Sequence, residues 1–312
     1  MLPVKEVSIE IINDSKEKLN LINNLNTRRD NMFRKTGFLV VMAVLMLVAG
    51  SAQAQMAGTI TDVVNPVGST GKVDWTTNVI TAVGIGAPPA QPANAAQARA
   101  MAERAAQVVA YRNLLEAVKG VRVDSTTTVE NFMVTSDVIK TEVSGFIQGA
   151  TIMDKKYMSD GSVEVTVGMK LTGALADALL PKGVAPPVPP VGAVSGTPDQ
   201  VYTGLIVDAR GLGVRPAMAP KVLNEDGKEV YGSAYINRDW AVREGMVGYM
   251  KDPAAAQTNP RVTNKPFMVK ALKVSGDGRV DMVISNADAA TIQNVTQNLS
   301  MLEKCRVIVL VD

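Results

Sequence analysis

The sequence predicts an α+β fold: a long helix packed on a small antiparallel sheet, followed by a Pro-rich linker and a second α/β domain. Three observations carry that prediction. Residues 94–120 (NAAQARAMAERAAQVVAYRNLLEAVKG) hold the longest unbroken helical pattern. Residues 146–171 read as two strands about an Asp160-Gly161 turn. Residues 279–311 run strand, helix, strand and end in RVIVLV, an apolar run that suits a strand buried on both faces. Strand–helix–strand order implies a right-handed crossover and at least one parallel pair.

The chain begins with a polar, weakly patterned stretch, residues 1–31, expected to be a non-native or disordered extension outside the fold. A second start, Met32, precedes Arg34 and Lys35, an apolar run at 37–49, and Ser51-Ala52-Gln53-Ala54. Residues 32–54 therefore read as a signal peptide cleaved after Ala54. The apolar run falls short of the roughly 20 residues a membrane span needs. No cysteine follows it, so a lipobox is excluded. Residues 55–74 are small, polar and Gly-rich, and are expected to be flexible. Trp75, Thr77, Val79, Thr81, Val83 and Ile85 then alternate in one phase, as a strand does, until Gly86, Pro88 and Pro89 break it.

In the long helix Met101, Val108 and Leu115 recur every seven residues, with Ala105, Tyr111 and Val118 beside them. This stripe is expected to face the sheet. Arg99–Glu103 and Arg112–Glu116 have the spacing of surface pairs worth about 0.2–0.5 kcal/mol each. Asn94 with Gln97 suggests a capping box, and Gly120 suits a left-handed C-terminal cap. A shorter helix is expected at 136–144, with Val138, Ile139 and Val143 inward and Gly145 ending it. In the second hairpin strand Val163, Val165, Val167, Met169 and Leu171 alternate with polar residues, as in a sheet with one buried face. A short helix at 173–180 closes the 75–180 domain.

Residues 181–199 hold six prolines and read as a semi-extended linker. Beyond them, 200–312 is the α/β domain. A strand is expected at 201–208, a hairpin about Glu225-Asp226-Gly227, a helical turn at 239–244 and a loop at 252–265. Strands at 267–274 and 279–285 flank Gly276-Asp277-Gly278. Asn286 is expected to cap a helix whose inner face carries Ile292, Val295, Leu299 and Leu302.

Composition narrows the function. At 312 residues the chain has room for two domains. Its net charge of +2 lies in residues 1–54, which hold seven Lys/Arg and five Asp/Glu; the remainder is balanced at 25 against 25. A neutral chain offers no global field to nucleic acid. There is no histidine, which excludes Ser-His-Asp and Cys-His catalysis and His-based metal sites. The single cysteine, Cys305, excludes an internal disulfide and reads as a small apolar residue.

Residues 98–125 (ARAMAERAAQVVAYRNLLEAVKGVRVDS), with Ala105, Ala110, Tyr111, Arg112, Leu114, Leu115 and the Gly120-Val121 exit, resemble the bacterial LPP-twenty lipoprotein family, which includes the flagellar-associated protein FlgP. The hairpin that follows is similar too, and the N-terminal domain of the flagellar protein FlgT shows the same helix-then-hairpin order. The resemblance covers about residues 75–180. It implies an envelope protein, often in assemblies at the outer membrane, with no catalytic residues to carry over. This chain departs from the family in lacking the lipidated cysteine and in adding the domain after Asp199.

One loop invites chemistry. Asp208-Ala209-Arg210-Gly211-Leu212-Gly213-Val214-Arg215-Pro216 follows a strand and combines two glycines with two arginines. Arg210, Gly211, Gly213 and Arg215 form the candidate ligand-binding set, because amides near glycine and paired guanidiniums favour anions. The loop is neither a P-loop nor a full dinucleotide fingerprint; it suits better a structural loop whose arginines pair with Asp208 or another acid. The repeated Asp-Gly pairs lie between strand patterns and read as turns, without calcium-ligand spacing. No cofactor, metal or catalytic set is expected. The sequence therefore points to an exported, periplasmic or outer-membrane-associated, non-enzymatic protein with a structural or assembly role. Its expected partners are envelope proteins and further copies of itself, with no nucleic acid and with association to the outer membrane or peptidoglycan. The alternative is a periplasmic binding module for an anionic ligand such as a peptidoglycan fragment.

Overall fold

The structure is a computed structural model that describes residues 62–180 and 201–312. The expected extension at 1–31, signal peptide at 32–54 and linker at 181–199 lie outside the described residues. Residues Thr61–Asp312 form one compact unit.

Its N-terminal half runs β1 (Val64–Val67), β2 (Gly71–Asp74), β3 (Val79–Gly86), α1 (Ala95–Lys119), α2 (Val129–Thr135), α3 (Asp137–Gln148), β4 (Thr151–Tyr157), β5 (Val163–Lys170) and α4 (Ala174–Leu179). The five strands make one antiparallel sheet in the order β1-β2-β3-β5-β4. The long helix packs across β3 and β5. The fold is thus the expected α+β arrangement of a long helix on an antiparallel sheet. The segment expected to be flexible at 55–74 holds β1 and β2 in its described part, 62–74. Trp75 to Asn78 form a turn rather than the start of a strand.

The packing of α1 departs from the expected stripe: Val118 is buried and Tyr111 and Leu115 pack against the core, but Met101, Ala105 and Val108 are exposed. In β3 the buried phase is Ile80, Ala82, Gly84 and Gly86, while Ile85 is exposed. A Cβ on Gly84 would lie 2.2 Å from the Ala110 nitrogen, and one on Gly86 2.1 Å from the Ala102 carbonyl oxygen. With no side chain at Gly84 and Gly86, the helix backbone settles onto the sheet there and only alanine fits between. Ala102, Ala106 and Ala110 are fully buried, with Leu114, Ala117 and Val118 extending the row. Met101 and Val108 point away, 48% and 54% exposed. Close backbone approach has outweighed side-chain size in choosing the buried face.

The caps of α1 are mixed. Asn94 Oδ1 accepts from the Gln97 amide at 2.8 Å, and Gln97 Oε1 accepts from the Ala93 amide at 2.7 Å. Gly120 is right-handed helical, φ −76°, not left-handed. Its missing side chain instead admits Val67, whose Cγ1 would lie 2.7 Å from a Cβ there. Neither expected ion pair forms. Glu103 turns to Lys155 at 2.5 Å and accepts from the Tyr157 hydroxyl at 3.1 Å. Glu116 pairs with Lys119 at 2.8 Å.

The helix expected at 136–144 is longer and has a predecessor. Ser136 ends α2 and caps α3, which continues through Gly145. Val143 is buried as expected, but Val138 is 67% exposed. The hairpin β4–β5 turns at Gly161, whose φ of +82° suits glycine.

The C-terminal half runs β6 (Gly204–Asp208), β7 (Val222–Leu223), β8 (Glu229–Tyr231), α5 (Arg238–Glu244), β9 (Gly248–Met250), α6 (Pro253–Gln257), β10 (Pro266–Lys270), β11 (Lys273–Ser275), β12 (Asp281–Val283), α7 (Asn286–Gln293), α8 (Thr296–Glu303) and β13 (Val307–Leu310). One sheet is wholly parallel, in the order β10-β6-β13-β9. Every residue of β13 is buried, with α6 packed against this sheet and α8 against β6. A second sheet runs β11-β12-β7-β8. The single strand expected at 267–274 is divided between the two sheets. The expected helix after residue 285 is also two, broken near Asn294 and Val295, and Ser285 rather than Asn286 caps the first. Ile292, Val295, Leu299 and Leu302 are all buried nonetheless.

Buried side chains from both halves form one continuous core. Trp75 meets Tyr249 edge to face, with ring centroids 5.7 Å apart. The Ala219 amide donates to the Val123 carbonyl at 2.7 Å, and the Gly173 amide to the Val242 carbonyl at 2.6 Å. Arg238 on α5 holds Asp177 at 2.8 Å and the Leu180 carbonyl at 2.8 Å.

Candidate functional site

The Asp208–Pro216 loop leaves the carboxyl end of β6, a central strand of the parallel sheet. Open α/β sheets bind ligands at that edge. Gly211 and Gly213 have φ of +77° and +63°, conformations that glycine adopts without steric cost. The Arg210 charge is already matched within the chain. Arg210 donates to Asp208 through Nε at 2.8 Å and Nη2 at 2.7 Å. These hydrogen bonds hold the Asp208 carboxyl below the usual carboxylate range. The Gly211 amide donates to Asp312 Oδ1 at 2.8 Å. Asp252 and Asp312 also act on the Arg210 charge and raise its pKa further, after the larger effect of Asp208.

The four sequence-predicted residues therefore share a loop without forming an open anion cradle. Arg210 and Gly211 face carboxylates of this chain. Arg215 is exposed, and its amide donates to the Arg279 carbonyl at 2.8 Å. Arg279, which the sequence reading passed over, closes the loop: its Nε donates to the Gly213 carbonyl at 3.1 Å and its Nη2 to the Leu212 carbonyl. Arg279 lies 66 residues beyond Gly213, so no local pattern could have revealed it.

A second cationic area is also structural. Arg261 donates to the carbonyls of Cys305 at 2.7 Å, Gly245 at 3.1 Å and Glu244. It staples the end of α5 to the start of β13. Cys305 occupies the left-handed position after α8, φ +53°, and its thiol is buried. Burial pushes that thiol up to about 11. It is an inert core group.

The most exposed large apolar side chains among the described residues lie on the N-terminal half. Both sheet edges carry features that discourage strand addition: Pro66 in β1, and Lys155, Lys156 and an irregularity between Ile152 and Asp154 in β4. The helices are more open. Met101 and Val108 stand out from α1, and Val134 and Val138, 81% and 67% exposed, stand at the corner between α2 and α3. The heptad spacing of Met101 and Val108 hid this. The signal that marks them is the competing alanine row beside a strand carrying Gly84 and Gly86.

Comparison with known families matches the two halves separately. Residues 75–170 match the LPP20 lipoprotein family. The LPP20 region spans β3, α1, α2, α3, β4 and β5, so the outward helix face and the α2–α3 corner both belong to it. Residues 204–312 match the second domain of Treponema pallidum Tp0624, and take in the whole of the second half from β6 onward. No curated protein matches the chain. Neither family description names a catalytic activity. The family matched over residues 75–170 is described as one of lipoproteins. No helix among the described residues is long and apolar enough to cross a membrane.

Proposed function

We propose that this protein performs structural or assembly work in the cell envelope through protein–protein contacts, its own copies being the first partners. One observation carries the reading. Inside the LPP20 region, the helix that organises the sheet buries a row of alanines with Leu114 and Val118, and presents two larger apolar side chains, Met101 and Val108, to solvent. Apolar side chains of this size on a rigid, sheet-backed helix suit a contact surface. Outer-membrane association is implied by the family resemblance alone, and a flagellar role does not follow from it. Cross-linking of envelope fractions followed by mass spectrometry tests the reading. Adducts between copies, or with envelope proteins, are expected at peptides of the LPP20 region. Adducts confined to the second half, or none, would contradict it.

The binding-module alternative rests on Arg210 and Arg215. The pairing of Arg210 with Asp208, and the carboxylates of Asp252 and Asp312 nearby, leave that loop poorly suited to an anion. Saturable binding of a peptidoglycan fragment, lost in Arg210→Ala/Arg215→Ala, would promote it.

A further inference from the structure

We infer that copies of this chain assemble head to tail, the outward face of α1 on one copy seating the α2–α3 corner of the next. The inference rests on the assembly reading and names its two surfaces. On α1, Met101 and Val108 lie about two helical turns apart, with the small Ala105 between them. Arg104 and Arg112 flank this strip. Both are exposed, and neither forms an ion pair among the described residues. That contrasts with the carboxylates of the same helix, since Glu103 is held by Lys155 and Glu116 by Lys119.

The corner is the complement. Val134 and Val138 are the two most exposed large apolar side chains among the described residues. Around them are Glu130, Asp137 and Glu142, none in an ion pair, against the single ammonium of Lys140. An apolar strip between guanidiniums thus matches an apolar knob among carboxylates. Arg–carboxylate contacts are directional and charge-assisted, so they would fix register while the valines and Met101 are buried.

The two surfaces stand on different elements and are both open to solvent in one molecule, so they do not satisfy each other within a chain. Pairing α1 with α1 would bring guanidiniums together, and corner with corner would bring carboxylates together. Both symmetric contacts are disfavoured by charge. A heterologous contact remains, and it leaves every open assembly with one free surface of each kind, at its two ends. Such contacts grow into rings when the rotation closes and into filaments when it does not. Both edges of the five-stranded sheet also discourage strand addition there.

Paired charge reversal of the full chain tests this, read by light scattering with circular dichroism to verify folding. Arg104→Glu/Arg112→Glu and Glu130→Lys/Asp137→Lys/Glu142→Lys should each need at least about tenfold more protein to assemble, because each sets like charges against like. An equimolar mixture of the two variants should recover assembly, since each surface then finds its opposite on the other variant. Assembly that ignores both reversals, or variants that fail alone and together while folded, would overturn the inference and leave the assembly reading intact. A wild-type chain that stays monomeric at every concentration would overturn both. Binding of wild type to phosphatidylglycerol vesicles without self-assembly would assign α1 to lipid and overturn the head-to-tail contact.

Discussion

Cys305 sits fully buried at the turn from α8 into β13, in a left-handed conformation that costs a side chain energy. Its thiol, pushed up to about 11 by burial, should not react with a disulfide reagent at pH 8 in the folded protein. Labelling should follow global unfolding in a urea series; a fast phase in native buffer would contradict the burial. Arg261 supports the same turn by donating to three carbonyls. Arg261→Met keeps much of the stem and leaves those acceptors unsatisfied, with an expected loss of about 2–3 kcal/mol in denaturant unfolding. Asp208 titrates in a defined direction. Its carboxyl lies below the ordinary 3.8 because Arg210 hydrogen-bonds the charged form. The pair's contribution to stability is therefore present above 3.8 and is lost as pH falls through the lower folded value. Carboxyl NMR should show Asp208 titrating below 3.8 in wild type and moving upward in Arg210→Ala. Residue-scale features were legible where the partner is close in sequence: Asn94 capping Gln97, and Arg210 two residues from Asp208. Glu103 with Lys155, and Arg279 on Gly213, were not, because the fold alone brings them together.

The element that decides the account is α1. Its existence, length and N-terminal cap could be read from sequence, since periodicity and capping are local. Its orientation could not, because the heptad of Met101, Val108 and Leu115 is a stronger pattern on paper than a row of alanines. The alanines win because β3 presents Gly84 and Gly86, and close backbone packing then excludes larger groups. Gly84→Val should therefore force α1 off the sheet and destabilise the protein by about 1–3 kcal/mol or more. Met101→Gln and Val108→Thr, on the open face, should change the urea midpoint little. Equal losses at both kinds of site would refute the assignment of faces. The short strand β9 and helix α6 escaped notice for a different reason: at three and five residues they are too brief for a period to register.

At the scale of the whole molecule, the two matched regions meet in a continuous core, and Trp75 packs on Tyr249 at the seam. Trp75→Ala should cost about 3–5 kcal/mol. Hydrogen exchange should then show protection falling on both sides of the seam, rather than in the LPP20 region alone. A molecule with so well-packed an interior, protected sheet edges and two exposed apolar surfaces of opposite charge is suited to building contacts with its own kind. Sedimentation velocity of the full chain across a concentration series, at low and at 1 M salt, tests that claim most directly. Species larger than a monomer are expected, growing with concentration and shrinking in 1 M salt, where the screening length falls to about 3 Å. A single monomeric boundary at all concentrations and both salts would contradict it.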